Sequence, residues 1–220
     1  MTTLQDEIKV CAICGNVSNH KEILSTKALG SSDLDARPPE PERSSITYWI
    51  QRCPVCGYCA PDLARGDTEM ANIIESDPYK AQLRDSEKPN LANSFLCWSM
   101  ILEDEAQFRI AGWTVVKASW ACDDAGNDQA ARQCRKRAVV LLQTAREKGQ
   151  WFADNASTEE AIIVDLLRRS SEFDEALKIC DDRLQKRPDK LIHDILVYQK
   201  ELIRNGDTKR HAASEITDHA

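Results

Sequence analysis

Two matched pairs of cysteines constrain this chain more than any other feature of its 220 residues. The pairs are Cys11-Ala-Ile-Cys14-Gly and Cys53-Pro-Val-Cys56-Gly. A gap of two residues lets two thiolates of one tight turn bind the same tetrahedral metal ion, and the glycine after each pair supplies the backbone freedom that such a turn needs. The sequence therefore predicts one metal site whose ligands are Cys11, Cys14, Cys53 and Cys56.

The predicted donor set also indicates which metal the site holds. Four protein thiolates fill every position around a tetrahedral zinc ion and leave none for water or substrate, which is typical of structural zinc. Iron is the alternative, because Cys53-Pro-Val-Cys56-Gly is also similar to a rubredoxin knuckle and all-thiolate sites bind either metal. We expect a structural Zn²⁺, which contributes roughly 10–16 kcal/mol to the folding of small domains.

Residues 1–62 contain both cysteine pairs and five of the eight prolines of the chain. The β-branched and aromatic side chains of residues 45–52 predict a strand, residues 21–26 predict a weaker one, and residues 30–43 are typical of an irregular loop. A segment of this size buries too little apolar surface to fold by itself. We therefore predict a small zinc ribbon, rubredoxin-like in type, that the metal holds together.

Residues 91–206 follow a helical pattern, with apolar side chains recurring every three or four positions, as at Leu91, Phe95 and Trp98. The pattern predicts about six helices, with a capping box at residues 157–160 and an N-cap at Asp189. The interval from Ala176 to Pro188 is that of tetratricopeptide units, which predicts antiparallel helix pairs, and an irregular bundle is the alternative.

The predicted fold class is therefore α+β, with a zinc ribbon followed by an all-α, tetratricopeptide-like domain. Residues 63–90 are expected to form transitional helices or a linker between the two parts. Residues 207–220 are polar, and the sequence predicts a flexible tail there.

The loop between the cysteine pairs contains Asp33, Asp35 and Arg37, and Trp49 follows it in the predicted strand. These four residues are candidates for binding a partner, because alternating carboxylates followed by arginine could hold a divalent ion or a charged partner. In the alternative interpretation, aspartate-to-backbone bonds and an Asp–Arg pair hold the loop in place. Trp49 and Tyr48 would point to opposite strand faces, so that one of them packs on the ribbon and the other docks the helical part or a partner.

Cys59 is a further thiol, three residues beyond Cys56. It is a candidate for a reactive or metal-exchanging thiol, and the simpler alternative is a small side chain packed under the turn. Cys97, Cys122, Cys134 and Cys180 are expected in the apolar core.

The cationic side chains of residues 132–148 predict a solvated helix face in preference to an RNA contact. Most of the five tryptophans are expected to pack between helices.

Composition excludes several classes of function. The formal net charge of −7 argues against a general nucleic-acid binder, whose phosphate contacts need clustered lysine and arginine. The sequence lacks the run of about 20 apolar residues that a membrane span needs, and residues 1–10 lack the apolar core of a signal peptide. An odd number of cysteines, nine, disfavours a disulfide framework. A cytoplasmic location is the resulting expectation.

The first cysteine pair, the stretch Gly30-Ser-Ser-Asp-Leu-Asp-Ala-Arg-Pro-Pro-Glu40 and the stretch Tyr48-Trp-Ile-Gln-Arg-Cys-Pro-Val-Cys-Gly-Tyr58 together resemble a family. They look like the prokaryotic proteins of domain of unknown function 2225, in which a two-knuckle metal-binding region precedes a tetratricopeptide-like helical part. The resemblance is specific over residues 11–58. It implies that the four paired cysteines are the metal ligands, and it brings no known activity.

The sequence favours a cytoplasmic adaptor that a structural zinc stabilises and whose helical part binds a protein or peptide partner. One alternative is a redox or hydrolytic enzyme with a site between ribbon and helices, for which Cys59 is the candidate residue. The other alternative is a nucleic-acid-associated zinc-ribbon protein, which the acidic composition disfavours.

Overall fold

The computed structural model describes residues 1–67 and 69–218. Over these residues the chain forms four strands, eight α-helices and two short 3₁₀ helices. The first hairpin pairs β1 (Thr3–Val10) with β2 (Val17–Ser25) in antiparallel register, with Val10 opposite Val17. The first cysteine turn lies between these two strands, and the amide of Cys11 donates to the carbonyl of Asn16 at 2.9 Å. The sequence indicated only the second of these strands, in part.

The predicted strand over residues 45–52 is wrong for most of its length. Arg43–Tyr48 is a 3₁₀ helix, and only β3 (Gln51–Arg52) is extended, paired with β4 (Cys59–Ala60). The hydroxyl of Ser45 donates to the carbonyl of Glu42 at 2.7 Å and accepts from Trp49 Nε1 at 2.9 Å. Such local side-chain bonds compete with strand pairing and favour a turn. Tyr48 and Trp49 therefore do not alternate across a strand.

Helices make up most of the remaining chain. Their bounds are α1 Met70–Glu75, α2 Asp77–Leu83, α3 Asn90–Asp104, α4 Phe108–Asp124, α5 Asp128–Glu147, α6 Ala156–Arg169, α7 Phe173–Gln185 and α8 Lys190–Arg204. The last six match the number predicted for residues 91–206, and Asp189 caps α8 by accepting from the amide of Ile192. The predicted capping box at residues 157–160 is displaced, because Asn155 caps α6 instead.

Three of the connections between successive long helices are turns of one type. Residues 105–107, 125–127 and 170–172 each connect two helices, and each turn has a residue with positive φ: Ala106, Gly126 and Ser171. Each turn also closes with a backbone bond back to the preceding helix, such as the amide of Asn127 to the carbonyl of Cys122 at 2.9 Å. This is the helix-ending geometry of the Schellman motif. Connections this short place neighbouring helices antiparallel and side by side.

One continuous apolar core extends from the cysteine turns to α8. The ring of Tyr58, next to the second turn, meets Trp98 of α3 edge to face with centroids 6.5 Å apart. The hydroxyl of Tyr79 in α2 donates to the carbonyl of Gly57 and accepts from the amide of Cys59, both at 3.1 Å. The N-terminal module therefore shares its core with the helices, so a metal ion would not be its only source of stability, contrary to the expectation from its size.

The predicted flexible tail is wrong for the part that the structure describes. Ala212 forms a bridge with Asp33, and residues Ala213–Asp218 form a 3₁₀ helix. Ile216 is buried in a small apolar cluster with Leu34, Tyr198 and Leu202. The polar sequence of this segment does not predict the packing, because its contacts are with a loop almost 180 residues earlier in the chain. Thr68, in the predicted linker, and residues 219 and 220, at the end of the predicted tail, lie outside the described residues.

We predict that Gly112→Ala destabilises the protein, although alanine is the better helix former by about 1 kcal/mol. A Cβ at position 112 would lie 2.6 Å from Cδ2 of Leu142, which is buried between α4 and α5. Overpacking of this kind costs about 1–3 kcal/mol. Thermal unfolding of the single variant measures this effect.

The matched test is the double variant Gly112→Ala/Leu142→Ala. If the clash is the cause, the double variant loses less stability than the sum of the two single variants. Strict additivity, or a single variant more stable than the wild type, would contradict the close approach of α4 and α5.

Candidate metal centre

Each cysteine pair lies in a tight turn whose backbone conformation requires the glycine that follows it. Gly15 and Gly57 have φ angles of +70° and +77°, in the left-handed region that side chains disfavour. Their amides donate to the carbonyls of Cys11 at 2.9 Å and Cys53 at 3.1 Å, which closes each turn. The two thiols of each pair are thereby presented on one side of the turn.

The two turns bring all four predicted ligands together. The Sγ atoms of Cys11, Cys14, Cys53 and Cys56 all lie within 4.8 Å of one another. Between opposite turns, the Sγ atoms of Cys11 and Cys56 are 3.7 Å apart and those of Cys14 and Cys53 are 3.6 Å apart. A tetrahedron with metal–sulfur bonds of about 2.3 Å has sulfur–sulfur edges of about 3.8 Å. The four cysteines could therefore hold one metal ion.

The electrostatics of the cluster favour a cation. Burial raises the pKa of the Cys53 thiol, but the amides of Cys56 and Val55 and the neighbouring thiols lower it to about 7. Burial raises the pKa of both Cys11 and Cys56. Four thiolates at these distances repel one another strongly, so a bound divalent ion is what would allow all four to lose their protons. Cys14 is exposed, which gives an ion access from solvent.

Cys59 lies outside this cluster. Its side chain is fully buried, and its Sγ donates to the carbonyl of Gly57 at 3.3 Å. Interaction with the Cys97 thiol holds the pKa of Cys59 below its usual range, although burial opposes that shift. The burial favours the packed alternative over a reactive thiol. Cys97, Cys122, Cys134 and Cys180 are all buried, as expected.

Asp35 is held inside the protein. Its carboxylate is 0 % exposed, and Oδ2 accepts from Arg169 Nη1 at 2.7 Å and from Trp120 Nε1 at 2.8 Å. Burial raises the pKa of Asp35, but the Arg169 guanidinium and the Trp120 hydrogen bond more than offset this, so its pKa lies below the usual range.

Asp33, Arg37 and Trp49 are also committed to contacts within the chain. Asp33 pairs with Arg43 at 2.7 Å, and Arg37 pairs with Asp124 at 2.6 Å while its guanidinium lies over the Trp120 ring. The half-buried Trp49 ring meets that of Trp120 edge to face, with centroids 6.4 Å apart. Asp33 and Arg43 thus form the Asp–Arg pair of the alternative interpretation, while Arg37 and Trp49 join this part of the chain to α4.

The sequence missed the residues that receive this loop. Trp120 and Arg169 lie 85 and 134 residues beyond Asp35, and no local pattern marks them.

The predicted solvated face of residues 132–148 is largely ion-paired, with Arg135 bound to Asp123, Arg137 to Glu103 and Arg146 to Glu160. Trp151 is 55 % exposed and does not pack between helices as expected.

Comparison with protein-family models, with curated proteins and with solved structures finds no match to this chain. Among the described residues, no helix has the length and apolar character that crossing a membrane requires. The geometry of the site and its surroundings therefore carries the functional inference.

We predict that Asp35→Asn destabilises the protein by about 3–5 kcal/mol, because it leaves the buried Arg169 without its full counter-charge. The measurement is urea unfolding at neutral pH. The folded-state pKa of Asp35 is depressed, so its contribution is present above the unfolded pKa of about 3.9 and is lost as pH falls through the folded pKa. The difference from wild type should therefore narrow in acid.

Asp104→Asn is the control, because Asp104 is exposed at the end of α3. A surface change of this kind alters stability by no more than about 0.5 kcal/mol. Equal effects of the two substitutions would show that the Asp35 ion pair does not hold the loop.

Proposed function

We propose that the protein is a scaffold stabilised by structural zinc and that it acts as a protein-interaction adaptor in the cytoplasm. The observation that carries the proposal is the convergence of four Sγ atoms, from Cys11, Cys14, Cys53 and Cys56, at distances that suit one tetrahedral ion. All four donors come from the protein, so the ion would have a structural role and no open position for substrate.

The state of the cysteines supports both the zinc and the compartment. All nine are free thiols, and five of them are buried in the core away from the four-cysteine cluster. An all-thiolate site needs reduced cysteines, which a reducing compartment such as the cytoplasm maintains. Zinc matches the site better than iron does, because no electron transfer is proposed for it. Iron is the alternative, and it would give the purified protein a colour.

The helical part supports the adaptor role. Its repeated turns and antiparallel neighbours are consistent with tetratricopeptide-type hairpins, and such stacked hairpins commonly bind peptides or proteins. The resemblance of residues 11–58 to domain of unknown function 2225 is part of the same proposal. Trp151 and Ile110 are exposed beside each other around a shallow depression of about 480 Å³. Exposed tryptophan is frequent among the side chains that dominate protein interfaces.

We predict that the protein purified under reducing conditions contains one zinc ion per chain and is colourless. Cys11→Ser removes one ligand and should lose most of the metal, as measured by elemental analysis. Cys180→Ser is the matched control, because Cys180 is a buried thiol of α7 outside the cluster, and it should retain the metal. A wild-type protein free of metal, or equal metal content in both variants, would refute the site, and a coloured iron protein would refute zinc.

Removal of the ion should also have a local effect on amide exchange. We expect a chelator to reduce protection in the two turns and their flanking strands, residues 3–25 and 51–60, because the ion is what joins these turns. Helices α4–α6 should keep their protection. Unchanged exchange in residues 11–16 and 53–58 would show that the metal does not stabilise the module.

The adaptor role predicts a binary complex. A protein captured from the native host should bind the purified chain in an equimolar complex, and Trp151→Ala should weaken that complex by about tenfold or more. Val140→Ala is the control, because Val140 is comparably exposed on α5. Failure of every captured protein to bind the purified chain would refute the adaptor role. Equal binding by both variants would refute the claim that Trp151 contributes to the interface.

A further inference from the structure

A cleft of about 450 Å³ lies where the loop of residues 31–43 meets the helical part. Its walls come from this loop, the end of α4, the first two turns of α5, the last residue of α6 and residues 208–210. Small-molecule sites commonly have volumes in the range of about 300–1,000 Å³. The cleft is separate from the four-cysteine cluster, since the two share no lining residue.

The cleft is cationic, although the chain as a whole carries a net charge of −7. Seven arginine and lysine side chains line it against three aspartates, an excess of four positive charges. Asp33 and Asp35, which pair with Arg43 and Arg169 behind the lining, reduce the excess to two. A local field of this sign attracts anions in an otherwise acidic protein.

The protein does not use all the hydrogen-bonding capacity of these cations. Arg135 and Arg169 share a single oxygen, Oδ2 of Asp123. The side chains of Arg37, Arg135 and Arg169 are only 3–5 % exposed. Their Nε groups are buried and have no acceptor among the described residues. An arginine side chain has five N–H donors, whereas Arg135 makes one hydrogen bond and Arg169 two, so these guanidiniums have donors left for a further acceptor.

The rim of the cleft carries further unpaired charge. Arg132 and Lys209 are exposed, and within the described part of the chain neither side chain forms an ion pair. Asp124 and Asp128 are exposed on the same lining. A long phosphodiester chain would pass these carboxylates and be repelled, whereas a small anion can contact the arginines alone.

We propose that this cleft binds a small phosphorylated molecule that carries at least two negative charges. The guanidinium fork matches phosphate oxygens with two hydrogen bonds. A tetrahedral phosphoryl group can accept bonds from arginines on several walls at once, which a planar carboxylate cannot do equally well. Because Arg37 belongs to the loop and Arg132 to α5, one bound phosphoryl group would also tie the loop to the helices.

The test is calorimetric titration of the full, zinc-loaded chain with inorganic pyrophosphate at physiological salt. We expect saturable one-to-one binding, at least about tenfold tighter than binding of citrate, because the arginine forks favour phosphoryl oxygens. A short single-stranded oligonucleotide is the third ligand and should bind more weakly than pyrophosphate. The absence of pyrophosphate binding, or equal binding of citrate or the oligonucleotide, would overturn the proposal.

Two exposed cations at the rim provide the variant. Arg132→Gln/Lys209→Gln should weaken pyrophosphate binding by about tenfold, since each removes one exposed charge from the site. The control is Arg109→Gln/Lys178→Gln, which removes the same two residue types from exposed positions outside the cleft. All four positions are exposed, so thermal unfolding should stay unchanged. Equal affinity of the two double variants would place the anion elsewhere and overturn the assignment.

Discussion

The structure depends on the contact between two cysteine turns, in which Cys14 and Cys53, 39 residues apart in the chain, bring their Sγ atoms to 3.6 Å. Closing so long a loop costs only slightly more entropy than closing a short one, so the intervening chain is free to be used elsewhere. It first completes the β1–β2 hairpin and then extends over the helices as the loop of residues 31–43. The chain between the two cysteine pairs is thus also the segment that fixes the N-terminal module to the helical part.

Two kinds of contact hold these parts together, and they have different chemistry. Next to the four-cysteine cluster the contact is apolar, with Tyr58 on Trp98 and one core shared with α3. At the far end of the loop it is ionic, with Asp35 enclosed by Arg169 and Trp120. Apolar packing tolerates small shifts of position, whereas a buried ion pair is favourable only in one geometry. The loop therefore sets the orientation of the module on the helices.

The two cysteine turns and the six long helices were predictable because both are local patterns: a two-residue gap for the cysteine turns, and a 3.6-residue period for the helices. The 3₁₀ helix at Arg43–Tyr48 was not, because Ser45 binds its neighbours and overrides the strand preference of Ile46 and Thr47. The sequence does not decide the roles of Asp35 and Arg37, since their partners Trp120, Arg169 and Asp124 lie far away in the chain. The packed segment after α8 was missed for the same reason.

The cationic cleft and the docking of the loop are linked through the residues that they share. Arg169 binds Asp35 of the loop and Asp123 at the cleft wall, and Arg37 brings the loop itself to the lining. An anion that bound these guanidiniums only when the loop is docked would stabilise the docked state by RT ln(1 + L/Kd), where L is the concentration of the anion. By linkage, a second ligand that favours docking would raise the affinity for the anion by the same factor by which the anion raises the affinity for that ligand. A metal ion held by the four cysteines would act on the same part of the chain, because the loop lies within residues 15–52, between Cys14 and Cys53. Such a metal ion and the anion would therefore bind with positive cooperativity, although their sites have no residue in common.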